Sequence, residues 1–497
     1  MKKALVAICI SLSLLVFIVL AVVLIRTALF KSRQVQMEPA QDVIINGKKA
    51  ADHLAHSIRF QTISFQDRSQ MNGEEFLAFH QYLEKTFPQV HSSLQKEIIG
   101  NFSLLYTWKG QNTDLKPILL AAHMDVVPIE LGTESEWMHP PFEGRIADGF
   151  IWGRGAMDDK ASLLGILEAV EWLLLQGFQP QRTICLAFGH DEEIGGMEGA
   201  SKVVSHLHSR GVDLEYVNDE GLVIVNGIMP GVTQPVALVG IAEKGFLSIE
   251  LIAGDEGGHS SMPSQKTVIG ILSTAIHKLE ANQMTAKFAA PVKQTFDYVG
   301  PEMKFLMRMV FANRWLFGGM IKKKLTSSPA TNATIRTITA ATVFQGGIKE
   351  NVLPKKARAV VNFRILTGES ISSVIEHVRQ TIDDPRIKIR PLESFFMEPS
   401  PVSDTDSLNF NIFQQTICQV FPGVIIAPGL TLGASDSRHY AKLSKDIYRF
   451  CPMRLGPDDL SRIHGTNERI SLENYEEIIK FYIQLIRNST DMSSRGN

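Results

Sequence analysis

The most extended feature in the alternation of apolar and polar positions stands at the start of the chain. Between Lys2-Lys3 and Arg26 the run ALVAICISLSLLVFIVLAVVLI, residues 4–25, carries no charge. It is longer than the apolar core of most signal peptides and long enough to cross a bilayer as a helix. No A-x-A cleavage site follows it, and basic residues flank both ends, so charge bias sets no orientation. Residues 1–29 are read as a signal peptide or signal anchor, and the polar, irregular residues 30–47 as a linker. From about Gly47 the pattern alternates between periods. GEEFLAFHQYLEKTF has helical spacing, whereas KPILLAAHMDVV and RTICLAFGHDEE read as short buried strands. ASLLGILEAVEWLLLQG, between those strands, reads as a helix ended by Gly177. Strand, helix, strand in that order predicts an α/β fold with a mostly parallel sheet, whose sites form at the carboxyl ends of strands.

The texture changes after about Glu243. KGFLSIELIAG alternates like an exposed antiparallel strand, a long helical segment follows, and KARAVVNFRILTG is again strand-like. Residues 48–243 and 366–497 are accordingly expected to form one α/β domain. Residues 244–365 are expected to form an inserted α+β unit, a lid or dimerisation domain that could pair two copies of the chain. A length of 497 residues agrees with two or three domains, and a formal net charge of −2 gives no reason to expect a nucleic-acid partner. Four cysteines, Cys9, Cys185, Cys418 and Cys451, are too sparse for a disulfide framework. Three sequons, at Asn101, Asn332 and Asn488, suit a chain that enters the secretory pathway, either secreted or anchored by residues 4–25 with its catalytic part luminal.

The chemistry concentrates at the predicted strand ends. FGHDEEIGG places Asp191, Glu192 and Glu193 in a row after a buried strand, where three carboxylates repel one another unless something positive sits among them. His123 and Asp125 in AAHMDVVP are two apart on a strand and project from the same face. Asp158 stands in GRGAMDDK, a glycine-rich loop opening onto a helix; Asp219 stands in VNDEG and His464 in IHGTNE. Taken singly, a strand-end histidine is more often a hydrogen-bonded core residue than a ligand, and DDK is commonly a helix cap. Taken together, two histidines and several carboxylates make a donor set suited to zinc, and a bridging carboxylate would let two cations sit side by side.

HMDVVP, GRGAMDDK, DEEIGG, NDEG and IHGTNE occur in the order found in the di-zinc metallopeptidase family of aminoacylase, carnosinase and yeast carboxypeptidase S. GGHSSMP and GGIKENVLP add two more of its signatures, and the chain resembles that family from about residue 50 onward. Within it, the wording of the motifs is most similar to the branch of N-fatty-acyl-amino-acid synthase/hydrolases. The resemblance implies two zinc ions per subunit: one held by His123 and Asp219, the other by Glu193 and His464, with Asp158 bridging. It implies Glu192 as general base toward a metal-activated water, and Asp125 as the residue that orients His123. Adjacent strand positions facing opposite ways would explain why neighbouring glutamates take different roles. His259, in GGHSSMP, would hydrogen-bond the oxyanion of the tetrahedral intermediate, often from a partner subunit. Asn351 and Arg438 are candidates for holding a substrate carboxylate.

PEMKFLMRMVFANRWLFGGMI, residues 301–321, is rich in Met, Phe, Trp and Leu. It reads either as a lid helix packing on its neighbours or as surface for a long alkyl chain. The leading expectation is a zinc amidohydrolase that cleaves N-fatty-acyl amino acids and can run in reverse, with fatty acids and free amino acids as the other small-molecule partners. A zinc carboxypeptidase, dipeptidase or short-chain aminoacylase would use the same ligands. A catalytically inactive, membrane-anchored binding protein is the reading from another class. Retention of all five presumed ligands and of Glu192 speaks against it.

Overall fold

A computed structural model of the chain describes residues 2–490. Its centre is an eight-stranded sheet. The strands lie in the order Gln95–Ile99, Ser103–Trp108, Ile184–Gly189, Ile118–His123, Val217–Val225, Ile447–Leu455, Val236–Glu243 and Ile425–Thr431. The middle strands Ile184–Gly189, Ile118–His123, Val217–Val225 and Ile447–Leu455 run parallel, as the strand–helix–strand grammar requires. Antiparallel pairs close the Gln95 side. ILLAAH and ICLAFG are buried at every position, because helices cover both faces of the sheet.

One of those helices, Lys160–Leu175, is apolar almost all round and lies between the sheet and the Leu472–Thr490 helix. Gly165 lets the two helices approach: a Cβ there would stand 2.7 Å from Ile478 Cγ2. The helix Gly73–Thr86 starts at Asn72, whose side chain accepts from Glu74 N, and it buries Phe76, Phe79 and Leu83.

The second sheet has four strands, in the order Ile338–Gly346, Lys356–Ile365, Gly245–Gly254 and Ile387–Met397, all antiparallel. One of its faces packs on the helices Val268–Ala281 and Ile371–Ile382. The sheet that the expected insert of 244–365 contributes to is completed by Ile387–Met397, paired along Gly245–Gly254. Helical segments within the insert also turn back to the larger domain. Ala290–Val299 packs on Ile425–Thr431, and Thr295 Oγ1 donates to Pro428 O at 2.7 Å.

The polar stretch after residue 29 is irregular, as expected of a linker, but it is fastened down. The Gln34 side chain pairs with both the N–H and the carbonyl of Ile426, and Ala40 N donates to Gln419 O. Cys185, Cys418 and Cys451 are free thiols within the body.

Candidate metal centre

The strand Ile118–His123 ends with His123, and Asp125 follows as the chain leaves the sheet. The neighbouring strand Ile184–Gly189 delivers Asp191, Glu192 and Glu193. Glu192–Ile194 form a single turn of 3₁₀ helix, so curvature rather than strand alternation separates the two glutamates. Gly195 and Gly196 follow at positive φ, +109° and +64°. Gly196 is also needed for space, since a Cβ there would stand 2.0 Å from the Asp436 carboxylate.

Five side chains converge. His123 Nε2 lies 3.0 Å from Asp158 Oδ1 and 3.7 Å from Glu220 Oε1. His464 Nε2 lies 3.0 Å from the other oxygen, Asp158 Oδ2, and 3.3 Å from Glu193 Oε1. Asp158 is thus shared between two triads, His123–Asp158–Glu220 and Asp158–Glu193–His464, each with its donor atoms within 4.8 Å of one another. Glu192 stands in a third group with His123 and Glu193.

The electrostatics are those of a site that wants cations. Burial, and then the negative charge of Glu220, push the Glu192 carboxyl well above the usual range. Burial and Asp158 raise Glu193 and, more strongly, Glu220. Burial opposes charge on His123, but Glu220, Asp125 and Asp158 outweigh it and hold the imidazole well above its ordinary value. Asp158 and Glu193 push His464 up to about 10. Glu193 Oε1 is buried and accepts no well-formed hydrogen bond, although His464 approaches it. Buried carboxylates facing one another at this density are tolerable when cations lie among them. Two imidazoles and three carboxylates, one of them shared, fit a pair of divalent metal ions of the zinc type.

Asp219 does not belong to this set. Its Oδ2 accepts Ser437 N at 2.7 Å, and the side chain is buried. Beside His123, where Asp219 is the expected ligand, the structure brings the neighbouring carboxylate of Glu220 to 3.7 Å.

A family comparison decides what such a centre belongs to. Residues 119–488 match the model of peptidase family M20/M25/M40. The chain is an M20/M25/M40 family peptidase. Among the relatives of this M20 chain is the probable carboxypeptidase S-like 2 of Dictyostelium discoideum, 44% identical over 96% of this chain and 93% of that protein. The N-fatty-acyl-amino acid synthase/hydrolase PM20D1 of Xenopus tropicalis is also 44% identical, over 89% of this chain and 86% of that protein. The M20 family metallo-carboxypeptidase Sso-CP2 from Sulfolobus solfataricus shares the fold, with a TM-score of 0.65 at 18% identity over 89% of this chain and 99% of that one. This M20 chain is a hydrolase acting on amide bonds.

Other expected site residues of the M20 chain fall in three places. Asp125 is fully buried and supports the centre: its carbonyl lies 3.0 Å, and its carboxylate 3.4 Å, from His123 Nδ1. The same carboxylate accepts the N–H groups of both Glu192 and Glu193 at 3.2 Å and the Ser64 hydroxyl at 2.7 Å. Arg438 is partly buried one residue beyond Ser437, and its Nη1 donates to Ser435 O. His259 and Asn351 lie elsewhere, on an exposed two-stranded ribbon where Ser260 N donates to Asn351 O. His259 Nδ1 hydrogen-bonds the nearby Ser261 there.

Two supporting residues of the M20 site stand inside motifs quoted for it without any ligand pattern of their own to mark them. Glu468 of IHGTNE accepts the N–H of Met157 at 2.8 Å and of Asp158 at 3.2 Å. Arg154 of GRGAMDDK donates to Glu468 at 2.7 Å and to the carbonyl of His464 at 3.0 Å. This pair ties the loop of Asp158 to the loop of His464. A buried Arg–Glu pair joining two ligand loops has no local sequence signature.

Proposed function

We propose that the protein is a two-zinc amidohydrolase that cleaves N-fatty-acyl amino acids and, in reverse, condenses a fatty acid with an amino acid. The observation that carries the chemistry is the paired triad sharing Asp158, with Glu192 beside it. The substrate class is supported by similarity to proteins named N-fatty-acyl-amino acid synthase/hydrolase, 39% to 44% identical from human to Xenopus tropicalis. His123 and Glu220 would hold one ion, Glu193 and His464 the other, and Asp158 both. When bound, such ions supply Lewis acidity toward water and the scissile carbonyl.

The chain's own residues do the rest. Glu192, held by the turn that Asp125 fixes, takes a proton from the attacking water. It passes that proton to the amide nitrogen as the C–N bond breaks, so the products are a carboxylic acid and a free amine. In the reverse direction the same carboxyl carries the proton back. Condensation of free acid and amine is uphill in water, so synthesis requires high reactant concentrations or removal of product.

His259 and Asn351 are read as completing the site of a second copy, the ribbon being exposed on its own chain. Entry to the secretory pathway is read from the N-terminal helix, as signal or anchor. A peptide substrate is the second reading, supported by the carboxypeptidase S-like relative and by carboxypeptidase S of Saccharomyces cerevisiae at 33% identity. Purified, zinc-loaded protein should be incubated with N-oleoyl amino acids, N-acetyl amino acids and a dipeptide panel, and product release scored. Turnover of dipeptides alone would remove the fatty-acyl assignment.

A further inference from the structure

The N-terminal helix Lys2–Leu29 is exposed along most of its length; its buried residues are Val23 and Thr27. About 20 residues precede Val23, roughly 30 Å of helix at 1.5 Å per residue, which is the thickness of a bilayer's hydrocarbon core. Contact with the body therefore begins where such a core ends. That contact is made by the stretch 301–321, which folds as two helices, Phe305–Ala312 and Arg314–Leu325. Asn313, fully buried between them, donates to Val23 O at 3.1 Å and to Thr27 Oγ1 at 3.2 Å. Arg26 Nε reaches Ala312 O, and Arg308 Nη2 donates to Phe30 O at 2.6 Å.

The same two helices turn large apolar side chains outward: Phe305, Leu306, Trp315, Leu316 and Met320, with Leu306 69% and Trp315 56% exposed. Cations accompany them, namely Lys304, Arg308 and Lys322-Lys323-Lys324, while the acids of this segment are few. Asp297 is paired with Arg314, and Glu302 is partly buried. Exposed aliphatic and aromatic residues beside lysines, at the level where a spanning helix leaves the hydrocarbon, have the composition of an interfacial membrane surface.

We propose that the outward face of the Phe305–Ala312 and Arg314–Leu325 helices lies in the interfacial layer of the bilayer that the N-terminal helix crosses, as a second membrane contact of the body. The proposal rests on retention of that helix as an anchor and is independent of which amide is cleaved. It fastens the orientation of the body to the membrane through the buried Asn313 junction. An amide with a long acyl chain dissolves in the same layer.

The test uses the full chain in nanodiscs of phosphatidylcholine and phosphatidylserine, with either brominated or unbrominated acyl chains. Trp315 emission is taken as the difference between wild type and Trp315→Phe, so that the other tryptophans cancel. The expected result is that this emission falls by about half or more in brominated discs. Leu306→Trp in the Trp315→Phe background reports the other helix and should be quenched likewise, which guards against a local effect of one variant. Equal emission in both discs overturns the proposal. Iodide quenching would then mark a face in water, and protection from both quenchers with a dimeric mass would mark a second copy covering it. A chain recovered outside the disc overturns both the proposal and the anchor reading, whereas N-oleoyl hydrolysis measured on the same sample tests the substrate separately.

Discussion

Glu220 and Asp219 are adjacent acids on one strand with different partners, and on the proposed reading Glu220 is the metal ligand. Glu220 Oε1 faces His123 Nε2 at 3.7 Å, whereas Asp219 Oδ2 holds Ser437 N at 2.7 Å. Loss of an outer partner of a metal ligand typically costs 10–100-fold in affinity, so loss of a ligand itself sets the upper end as a minimum. Glu220→Gln is expected to weaken zinc binding by about 100-fold or more, about 2.7 kcal/mol. Zinc at about 1,000 times the dissociation constant stabilises a folded protein by about 4.1 kcal/mol, and a 100-fold weaker site at the same concentration by about 1.4 kcal/mol. The zinc-dependent rise in Tm should therefore shrink by more than half in this variant. Its metal-free form should be no less stable than wild type, because a buried carboxyl raised by burial and by Asp158 has been neutralised. Asp219→Asn keeps an oxygen for Ser437 N and loses only charge assistance, about 1 kcal/mol of fold stability, with the zinc increment nearly intact. Calorimetric scans with and without chelator, with elemental analysis, separate the two. Loss of zinc from Asp219→Asn together with full occupancy in Glu220→Gln would refute the assignment.

Other expectations follow from the same geometry. Glu192→Gln should abolish turnover and keep its zinc, whereas Glu193→Gln should lower occupancy; elemental analysis showing the reverse would exchange their roles. If His259 serves a second copy, inactive His259→Ala and inactive Glu192→Gln chains should, once mixed and allowed to exchange, recover about a quarter of wild-type activity; no recovery places His259 in its own chain's site or in none. His80 is held down to about 4 by burial, with Lys96 adding to the effect. Below pH 6.5 the unfolded chain binds a proton that the folded chain refuses, so this stability is complete above pH 6.5 and is lost as pH falls toward 4. The full shift is worth up to about 3 kcal/mol. His80→Gln, which keeps a donor for the Phe102 carbonyl, should flatten the acid limb of Tm against pH over that window, and an unchanged slope would count against it. Among the sequons, Asn101 is exposed in a turn, while Asn488 donates to Thr416 and Gln419 at 2.8 Å within packed helices. Glycosidase treatment of protein from secreting cells should shift mobility more in wild type than in Asn101→Gln, and Asn488→Gln should leave the shift unchanged.

Much of the site was legible because strand ends announce themselves. ILLAAH and ICLAFG are apolar runs that stop abruptly at histidine and acids, and the parallel sheet brings those ends together. Less legible was which of two consecutive acids faces inward. Asp219 and Glu220 stand where the pairing of Val217–Val225 with Ile447–Leu455 shifts register, and local composition does not encode such an irregularity. The glutamate pair after ICLAFG was separated for a reason other than expected, a 3₁₀ turn in place of strand alternation. The last strand of the second sheet was hidden as well. IKIRPLESFFM carries Pro391 and a register shift in its pairing, so its periodicity does not read as a sheet strand. The helices at 290–299 and 305–312 look like part of an insert in sequence and pack, respectively, on the main domain and on the N-terminal helix in space.

What the motifs share beyond their ligands is a set of buried carboxylates that hold peptide N–H groups. Asp125 holds the N–H of Glu192 and Glu193, and Glu468 holds those of Met157 and Asp158. Asp191 holds those of Glu198 and Gly199 and is met by Arg68. Asp125 and Glu468 grip the backbone at or next to a proposed ligand or base, and Asp191 ties the end of the following glycine loop back to its start, so the reactive side chains extend from loops whose own amides are already committed. A charge-assisted hydrogen bond of this kind is worth about 1.5–3 kcal/mol. Two such bonds around Glu192 and Glu193 are enough to keep that turn formed against the mutual repulsion of its acids before any metal arrives. On this view the length of the DEEIGG, GRGAMDDK and IHGTNE stretches reflects preorganisation. The ligands alone would need one residue from each stretch, and the additional acids hold each loop in a conformation that presents it.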